Sequence, residues 1–188
     1  MITYESIEEL NEEIKVCQKC PLFKGRTLAV PGNGNLHAKI LFLGEGPGSS
    51  EDKAGLPFVG DAGKFLDEML SSIKLKREDI YITNVVKCRP PNNRDPLEEE
   101  VSVCVRTYLF HQIKLIKPEL IVTMGRHAMQ TFFPQIKSIS SVHGKAYKKA
   151  NQVYYILYHP AAALYQSSLK KTMQDDFKKI PEIISLIK

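Results

Sequence analysis

Four cysteines offer distinctive chemistry in this chain. Cys17 and Cys20 are separated by two residues, and Cys88 and Cys104 follow much later. A C-x2-C pair can place two thiolates on one metal centre, and two more thiolates complete the sulfur ligands of zinc or an iron–sulfur cluster. The spacing does not choose between these groups, and buried free cysteines or a disulfide are simpler alternatives.

Polar and turn residues follow three apolar segments that read as buried strands. In a parallel sheet the carboxyl ends of the strands lie at one edge, where ligands bind. We therefore predict a site at that edge. It is formed by Gly44–Gly48 after the strand Ile40–Leu43, by Asn84 in the strand Ile80–Val86, and by His159 after the strand Val153–Tyr158.

Amphipathic segments alternate with these strands and with a further one at Leu120–Met124. This alternation predicts an α/β fold with a parallel sheet covered by helices on both faces. The predicted helices are Asp61–Lys74, Pro96–Ile116, Arg126–Phe133 and Lys170–Lys188, the last broken at Pro181.

The composition is that of one globular domain spanning residues 1–188. Hydrophobic residues make up 43% and charged residues 25% of the chain, and the net charge of +5 permits a polyanionic partner without requiring one. No apolar run approaches the roughly 20 residues of a membrane span, and Met1–Ile14 lacks a signal-peptide pattern. We expect a cytoplasmic protein.

The glycines after the first strand do not form a nucleotide-binding motif. A dinucleotide fingerprint would need glycine at Ser49 and an immediate helix, and a phosphate loop would need glycine at Phe58. About twelve residues are predicted to separate this loop from the next helix. The segment Gly44–Gly63 combines glycines, carboxylates and one aromatic residue, which suits a close-fitting pocket for a flat ligand.

Three segments together resemble the family 4 uracil-DNA glycosylases: Gly44–Gly63, Asn84–Arg94 and His159–Leu164. With the cysteines, the resemblance covers the chain from Cys17 to about Leu164. It implies a three-layer α/β/α domain with a central four-stranded parallel sheet. It also implies a [4Fe–4S] cluster on Cys17, Cys20, Cys88 and Cys104, with a mainly structural role.

The resemblance also implies a reaction, the hydrolysis of the bond between uracil and deoxyribose in a flipped nucleotide. His159 would donate a hydrogen bond to uracil O2 and stabilise the leaving anion. Asn84 would read O4 and N3–H of uracil, since its amide holds a donor and an acceptor. Phe58 would stack on the base.

Water activation is the open part of this reaction. The family 1 enzymes carry an aspartate where this chain has Gly46. Glu51 is the preferred residue for orienting water or stabilising the cationic sugar, and Glu45 and Gly46 are expected to line the pocket.

Basic residues near the same edge are predicted to contact DNA. Arg89, Arg94, Lys145 and Lys148 are candidates for phosphates, Lys87 is assigned to the same basic segment, and Leu164 would fill the space left by the flipped base. The expected partner is uracil-containing DNA, single- or double-stranded, bound by a monomer away from membranes.

Three other functions compete with this one. A variant that links covalently to uracil-DNA needs a histidine in the segment after Asn84, and Cys88–Pro96 has none. A non-catalytic metal- or cluster-binding DNA-recognition module would leave Asn84, Phe58 and His159 unexplained. A nucleotide-binding enzyme is disfavoured by the failed glycine motifs.

Overall fold

The structure is a computed structural model that describes residues 4–187. Within these residues the chain forms one mixed six-stranded sheet. The order of the strands in the sheet is β1-β3-β2-β4-β6-β5. The strands are β1 (Asn33–Gly34), β2 (Ile40–Gly44), β3 (Tyr81–Asn84), β4 (Leu120–Met124), β5 (Lys145–Lys149) and β6 (Gln152–Leu157).

The four strands predicted from the sequence are the four inner strands, which are mutually parallel. The sheet has six strands rather than four because β1 and β5 add antiparallel edges. Sequence patterns missed both edges for a physical reason. β1 has only two residues, and β5 is the lysine-rich segment Lys145–Lys149, which protects an edge but carries little apolar signal.

Helices cover both faces of the sheet, so the predicted three-layer α/β/α fold is confirmed. Along β2, Leu41 and Leu43 face one helical layer, while Ile40 and Phe42 face the other. No helix among residues 4–187 is long and apolar enough to cross a membrane. The α-helices are α1 (Ile7–Val16), α2 (Ser49–Ala54), α3 (Asp61–Ser72), α4 (Glu98–Cys104), α5 (Phe110–Ile116), α6 (Arg126–Phe132), α7 (Ala162–Tyr165), α8 (Leu169–Phe177) and α9 (Ile180–Leu186).

The long helix predicted from Pro96 begins at Glu98 and continues through α4 and α5. A π-helical segment, Val105–Leu109, joins the two, directly after Cys104. The predicted closing helix is two helices, and Pro181 lies in the first turn of α9, where its missing N–H costs no hydrogen bond. Lys188, its predicted last residue, lies outside the described residues.

The segment Gly44–Gly63 is not the uninterrupted loop that the sequence predicted. Helix α2 begins at Ser49, immediately after the glycines. The Glu51 carboxylate accepts a hydrogen bond from the N–H of Gly48, which satisfies a donor at the start of the helix. This early helix places Glu51 next to the edge where the inner strands end.

Candidate active site and cysteine site

A pocket of about 400 Å³ opens at the carboxyl edge of the inner strands. It brings together six of the residues predicted for substrate binding and catalysis, and also Arg94. The six are Glu45, Gly46, Glu51, Phe58, Asn84 and His159. Six further lining residues belong to the three predicted segments but were not singled out there: Pro47, Gly48, Ala62, Pro90, Asn93 and Ala161. Tyr165 lies outside those segments and was missed.

Asn84 lies at the end of β3 and is almost fully buried, with 1% of its surface exposed. Its side-chain Oδ1 has no hydrogen-bond partner among the described residues. A buried polar atom without a partner costs about 1–3 kcal/mol. The pocket therefore favours a ligand that supplies a hydrogen bond at this point.

His159 follows β6 and is held as a neutral imidazole. Burial lowers the pKa of His159 to about 4, although the nearby Glu51 carboxylate opposes this shift. The N–H of Ala161 donates to His159 Nδ1 at 3.2 Å, so Nδ1 is the acceptor and the ring proton lies on Nε2. The imidazole thus retains one N–H donor besides its bond to the backbone.

Phe58 stacks beside His159, with the ring centroids 5.5 Å apart and the ring planes inclined by 30°. Its backbone has a φ of 53°, a left-handed conformation that is unfavourable for a residue with a side chain. The Arg77 guanidinium donates to the carbonyls of Pro57 and Phe58, and Asp67 binds the same guanidinium at 2.6 Å. Arg77, which sequence patterns did not reveal, therefore stabilises the backbone that presents Phe58.

Two glycines allow the walls of the pocket to approach closely. A Cβ at Gly44 would overlap Asn84 Oδ1 and lie 2.7 Å from the Phe58 ring. A Cβ at Gly46 would lie 2.8 Å from Val86 Cγ2. Glycine at position 44 therefore lets Asn84 and Phe58 pack against the end of β2, and glycine at position 46 leaves room for Val86.

Glu51 is held by backbone donors from two segments. Its Oε1 accepts hydrogen bonds from the N–H groups of Val59 and Gly60, both at 2.9 Å, and its Oε2 accepts from Gly48 at 3.1 Å. The carboxylate thus fixes the loop around the pocket and presents a negative charge near His159. Neighbouring Asp52 is buried and instead accepts from the N–H of Thr27.

Glu45, which follows β2, belongs to a charged group with Asp95 and with two residues that follow β4, Arg126 and His127. Its Oε2 lies 3.9 Å from His127 Nε2, which in turn lies 3.2 Å from Asp95 Oδ2. Arg126 binds Asp95 at 2.5 Å. Burial raises the pKa of Glu45, and His127 opposes that shift. Arg126 and His127 follow β4, the one inner strand whose end was not predicted to contribute to the site. Their polar side chains after Gly125 were the signal in the sequence that could have revealed this group.

The basic residues predicted to contact DNA occupy different environments. Arg94 lines the pocket, but its guanidinium is paired with the buried Glu100 carboxylate at 2.7 Å. Arg89 donates to Asn93, at the pocket margin. Lys145 is exposed and lies beside Ile156 near the carboxyl end of β6, whereas Lys148 lies beside Val153 toward the other end.

Two exposed apolar residues flank the pocket on α7. Leu164, predicted to fill the space of a flipped base, is 47% exposed, and the neighbouring Tyr165 is 92% exposed and lines the pocket. Tyr165 was missed because a single tyrosine after His159–Leu164 has no distinguishing pattern. An aromatic ring in this position provides a flat surface at the pocket mouth.

The four cysteines line one small apolar cavity between α1, the end of β3 and α4. All four are free thiols in this structure, and no disulfide joins any of them. The Arg26 guanidinium donates to Cys88 Sγ at 3.1 Å, and the N–H of Lys19 donates to Cys17 Sγ at 3.4 Å. Such donors stabilise negatively charged sulfur, which suits metal-bound thiolates.

The sulfurs are more widely spaced than a zinc ion requires. Four thiolates around zinc lie about 3.8 Å apart, given tetrahedral Zn–S bonds of about 2.3 Å. Among the described residues, no three cysteine sulfurs lie within 4.8 Å of one another. The donor set therefore fits a group larger than a single ion.

Lys87 does not face DNA, contrary to the prediction from the sequence. It is 1% exposed, and its ammonium group donates to Thr83 Oγ1 at 2.7 Å and to the backbone carbonyl of Asn84 at 2.6 Å. Burial lowers the pKa of Lys87 to about 8, and nearby Cys104 and Cys88 oppose this shift. A one-dimensional count of basic residues could not distinguish this buried cation from the exposed ones.

The fold and the site define a three-layer α/β protein with a pocket of about 400 Å³ at the carboxyl edge of its inner strands and a separate four-cysteine site. The sequence profile of the Uracil DNA glycosylase superfamily matches residues 31–182. The chain is 50% identical to the type-4 uracil-DNA glycosylase of Archaeoglobus fulgidus, covering 95% of this chain and 94% of that protein. It is 49% identical to the type-4 enzyme of Sulfurisphaera tokodaii (95% and 85%) and 43% identical to that of Thermotoga maritima (98% and 98%).

These matches show that the chain belongs to the type-4 uracil-DNA glycosylases of the uracil-DNA glycosylase superfamily. The family predicted from the three sequence segments is thereby confirmed.

Proposed function

We propose that this chain removes uracil from DNA by hydrolysing the bond between the base and deoxyribose. The observation that carries the proposal is the buried, unpartnered Oδ1 of Asn84 at a pocket that also holds the His159 imidazole. A pocket of about 400 Å³ accommodates one flipped pyrimidine nucleotide. Water adds to C1′ of the sugar and the C1′–N1 bond breaks with its electrons on N1. The water gives up one proton to the solvent and N1 takes up one from the solvent, so that uracil and an abasic site result.

Asn84 supplies the selectivity for uracil. Its Oδ1 accepts from N3–H of uracil, and its amide nitrogen donates to O4. Cytosine presents an unprotonated N3 and an amine at these positions, so both contacts would be mismatched. A buried polar mismatch of this kind discriminates by orders of magnitude.

His159 stabilises the departing base. A neutral imidazole protonated on Nε2 donates a hydrogen bond to uracil O2, where negative charge develops as the bond breaks. Removing one such donor commonly costs about 3–4 kcal/mol of transition-state stabilisation. The low pKa of His159 keeps this donor neutral, so it supplies no proton to the base at neutral pH.

Glu51 supplies negative charge on the sugar side of the site. Its carboxylate is fixed by three N–H donors and therefore needs little reorganisation when the sugar becomes cationic. Oε2 accepts a single hydrogen bond from the backbone, which leaves it a lone pair to orient water. Glu45 and Gly46 line the opposite wall, and Phe58 forms an aromatic wall that contacts the base.

DNA is held by residues around the pocket mouth. Arg89 and Lys145 contact phosphates, Leu164 occupies the space vacated by the flipped base, and Arg94 contributes mainly by shaping the wall through its pair with Glu100. The substrate includes single- and double-stranded uracil-containing DNA. We further propose that the protein acts as a monomer in the cytoplasm.

The cysteine site holds a [4Fe–4S] cluster in this proposal. Support comes from four free thiols on one cavity, sulfur spacing too wide for zinc, and the cationic Arg26 and Lys87 beside them. The cluster supplies a covalent link between the N-terminal segment and the chain on both sides of α4. Cys17, Cys20, Cys88 and Cys104 are its ligands.

The test is excision from a labelled oligonucleotide that contains one uracil, followed by alkali. We expect strand scission at the uracil and release of the free base, and none from a matched oligonucleotide with cytosine at that position. The His159→Ala variant is the control for a contaminating activity. If cluster-loaded, folded protein leaves the uracil oligonucleotide intact, the proposal is wrong.

A further inference from the structure

Lys87 is the one buried lysine in the described part of the chain, and the reaction proposed above assigns it no step. Its ammonium group touches the carbonyl of Asn84, the proposed uracil-reading residue. It lines the cavity that Cys88 and Cys104 also line, and it precedes Cys88 directly. One residue thus contacts both the backbone of a pocket residue and the cysteine site.

The environment of the ammonium group lacks a carboxylate. Lys87 forms no ion pair with any acidic residue among residues 4–187, and its hydrogen-bond acceptors are neutral oxygens. A buried charge is costly unless an opposite charge compensates it. Cys88 and Cys104 line the same cavity and would provide that charge when they bind a metal group as thiolates.

The hydrogen bond from Lys87 to the Asn84 carbonyl belongs to a group of hydrogen bonds that holds the backbone at the end of β3. The N–H groups of Val85 and Val86 donate to the carbonyls of Gly44 and Glu45, both at 3.0 Å. Lys87 then binds the carbonyl of Asn84 and the side chain of Thr83. The backbone from Asn84 to Lys87 is therefore held on one side by the pocket wall and on the other by the ammonium group.

We propose that Lys87 is a positioning residue that couples the cysteine site to the uracil pocket: the charge of the thiolate-bound group stabilises its buried ammonium, and the ammonium fixes Asn84 for reading uracil. This inference rests on the proposed function. It assigns Lys87 a structural contact with Asn84 and an electrostatic contact with the cysteine site, and each contact has its own readout.

Two substitutions separate these contacts. Lys87→Met removes both the donor and the charge at similar length, whereas Lys87→Gln keeps an N–H donor and removes the charge. Lys39→Met is the matched control, because Lys39 is exposed and pairs with Glu119 near the opposite ends of the strands. Iron content and thermal melting establish that each purified protein is folded and loaded before it is assayed.

We expect Lys87→Met to lower kcat for uracil excision about 100-fold with little change in KM, since a displacement of about 1 Å in a reacting group has this effect. Lys87→Gln should recover much of kcat. Electrochemical titration of the substrate-free proteins should show a more negative cluster potential in both Lys87 variants than in Lys39→Met, because a nearby positive charge is lost.

The outcomes distinguish the inference from the proposed function. If the unaltered protein fails to excise uracil, the proposed function is wrong. If it excises uracil and loaded Lys87→Met keeps the same kcat, or if the potential equals that of Lys39→Met, the coupling role of Lys87 is refuted while the proposed function stands.

Discussion

Arg77 gives the sharpest test of how the pocket is built. Substituting Arg77→Met keeps the aliphatic part of the side chain and removes the guanidinium that binds the carbonyls of Pro57 and Phe58. The unfavourable left-handed conformation of Phe58 would then lose the hydrogen bonds that stabilise it. The expected result is a disordered Phe58 wall and slower excision, with the sheet unchanged.

The magnitude follows from the two hydrogen bonds. A bond from a charged donor contributes about 1.5–3 kcal/mol, and partial exposure of Arg77 argues for about 1 kcal/mol each. The left-handed conformation of Phe58 costs about 1–2 kcal/mol, so a loss of about 2 kcal/mol is enough to favour other conformations. Because 1.4 kcal/mol corresponds to tenfold, we expect single-turnover excision to slow by up to about 30-fold.

The assay is single-turnover excision from a uracil-containing oligonucleotide with enzyme in excess. Lys76→Met is the matched control, since Lys76 is adjacent but pairs only with exposed acidic groups. In a Phe58→Ala variant, adding Arg77→Met should lower the excision rate little further, because both substitutions act on the same pocket wall, the one formed by Phe58. A rate within twofold of the unaltered protein, or a full additional loss in the Phe58→Ala background, would refute this account.

Four further predictions concern His159, Cys104 and Tyr165. His159→Ala should lower kcat by about 10²–10³-fold with little effect on DNA affinity measured by anisotropy, and equal losses in both would mean that it only positions the strand. The free energy of unfolding should fall as the pH decreases from about 6.5 toward 4, because His159 binds a proton at higher pH in the unfolded chain than in the folded one. The free energies of unfolding of the unaltered protein and of His159→Gln should therefore differ by an amount that changes with pH across this range. A difference that stays constant would contradict this reasoning. Cys104→Ala should abolish absorbance near about 400 nm and lower the melting temperature, whereas unchanged absorbance would exclude it as a ligand. Tyr165→Ala should weaken DNA binding by roughly 1–3 kcal/mol and Tyr165→Phe should not, and an equal loss in both would exclude stacking.

Sequence patterns predicted the centre of the fold well because the inner strands are continuous apolar runs. Leu120–Met124 has the predicted bounds, and Ile40–Gly44 differs from its prediction by one residue. The edge strands and α2 were missed, since a lysine-rich edge and a six-residue helix depend on neighbouring segments rather than on local periodicity.

Glu45, Gly46, Asn84 and His159 could be identified from the ends of predicted strands, and the family resemblance added Glu51 and Phe58. The structure brings all six together. Their chemistry could not be predicted in the same way. The tautomer of His159 depends on the N–H of Ala161, and the conformation of Phe58 depends on Arg77, nineteen residues away.

The residue types and their order along the chain determined the α/β class, the edge of the sheet that carries the site, and the four cysteines that are candidate sulfur ligands. Tertiary structure decided which charges are available there. Lys87, Arg94 and Arg89 look alike in the sequence, yet the first is buried against Asn84, the second is paired with Glu100, and only the third lies at the pocket margin without an acidic partner among the described residues. Burial and pairing set the free energy of a charge, and both depend on residues that are distant in the chain.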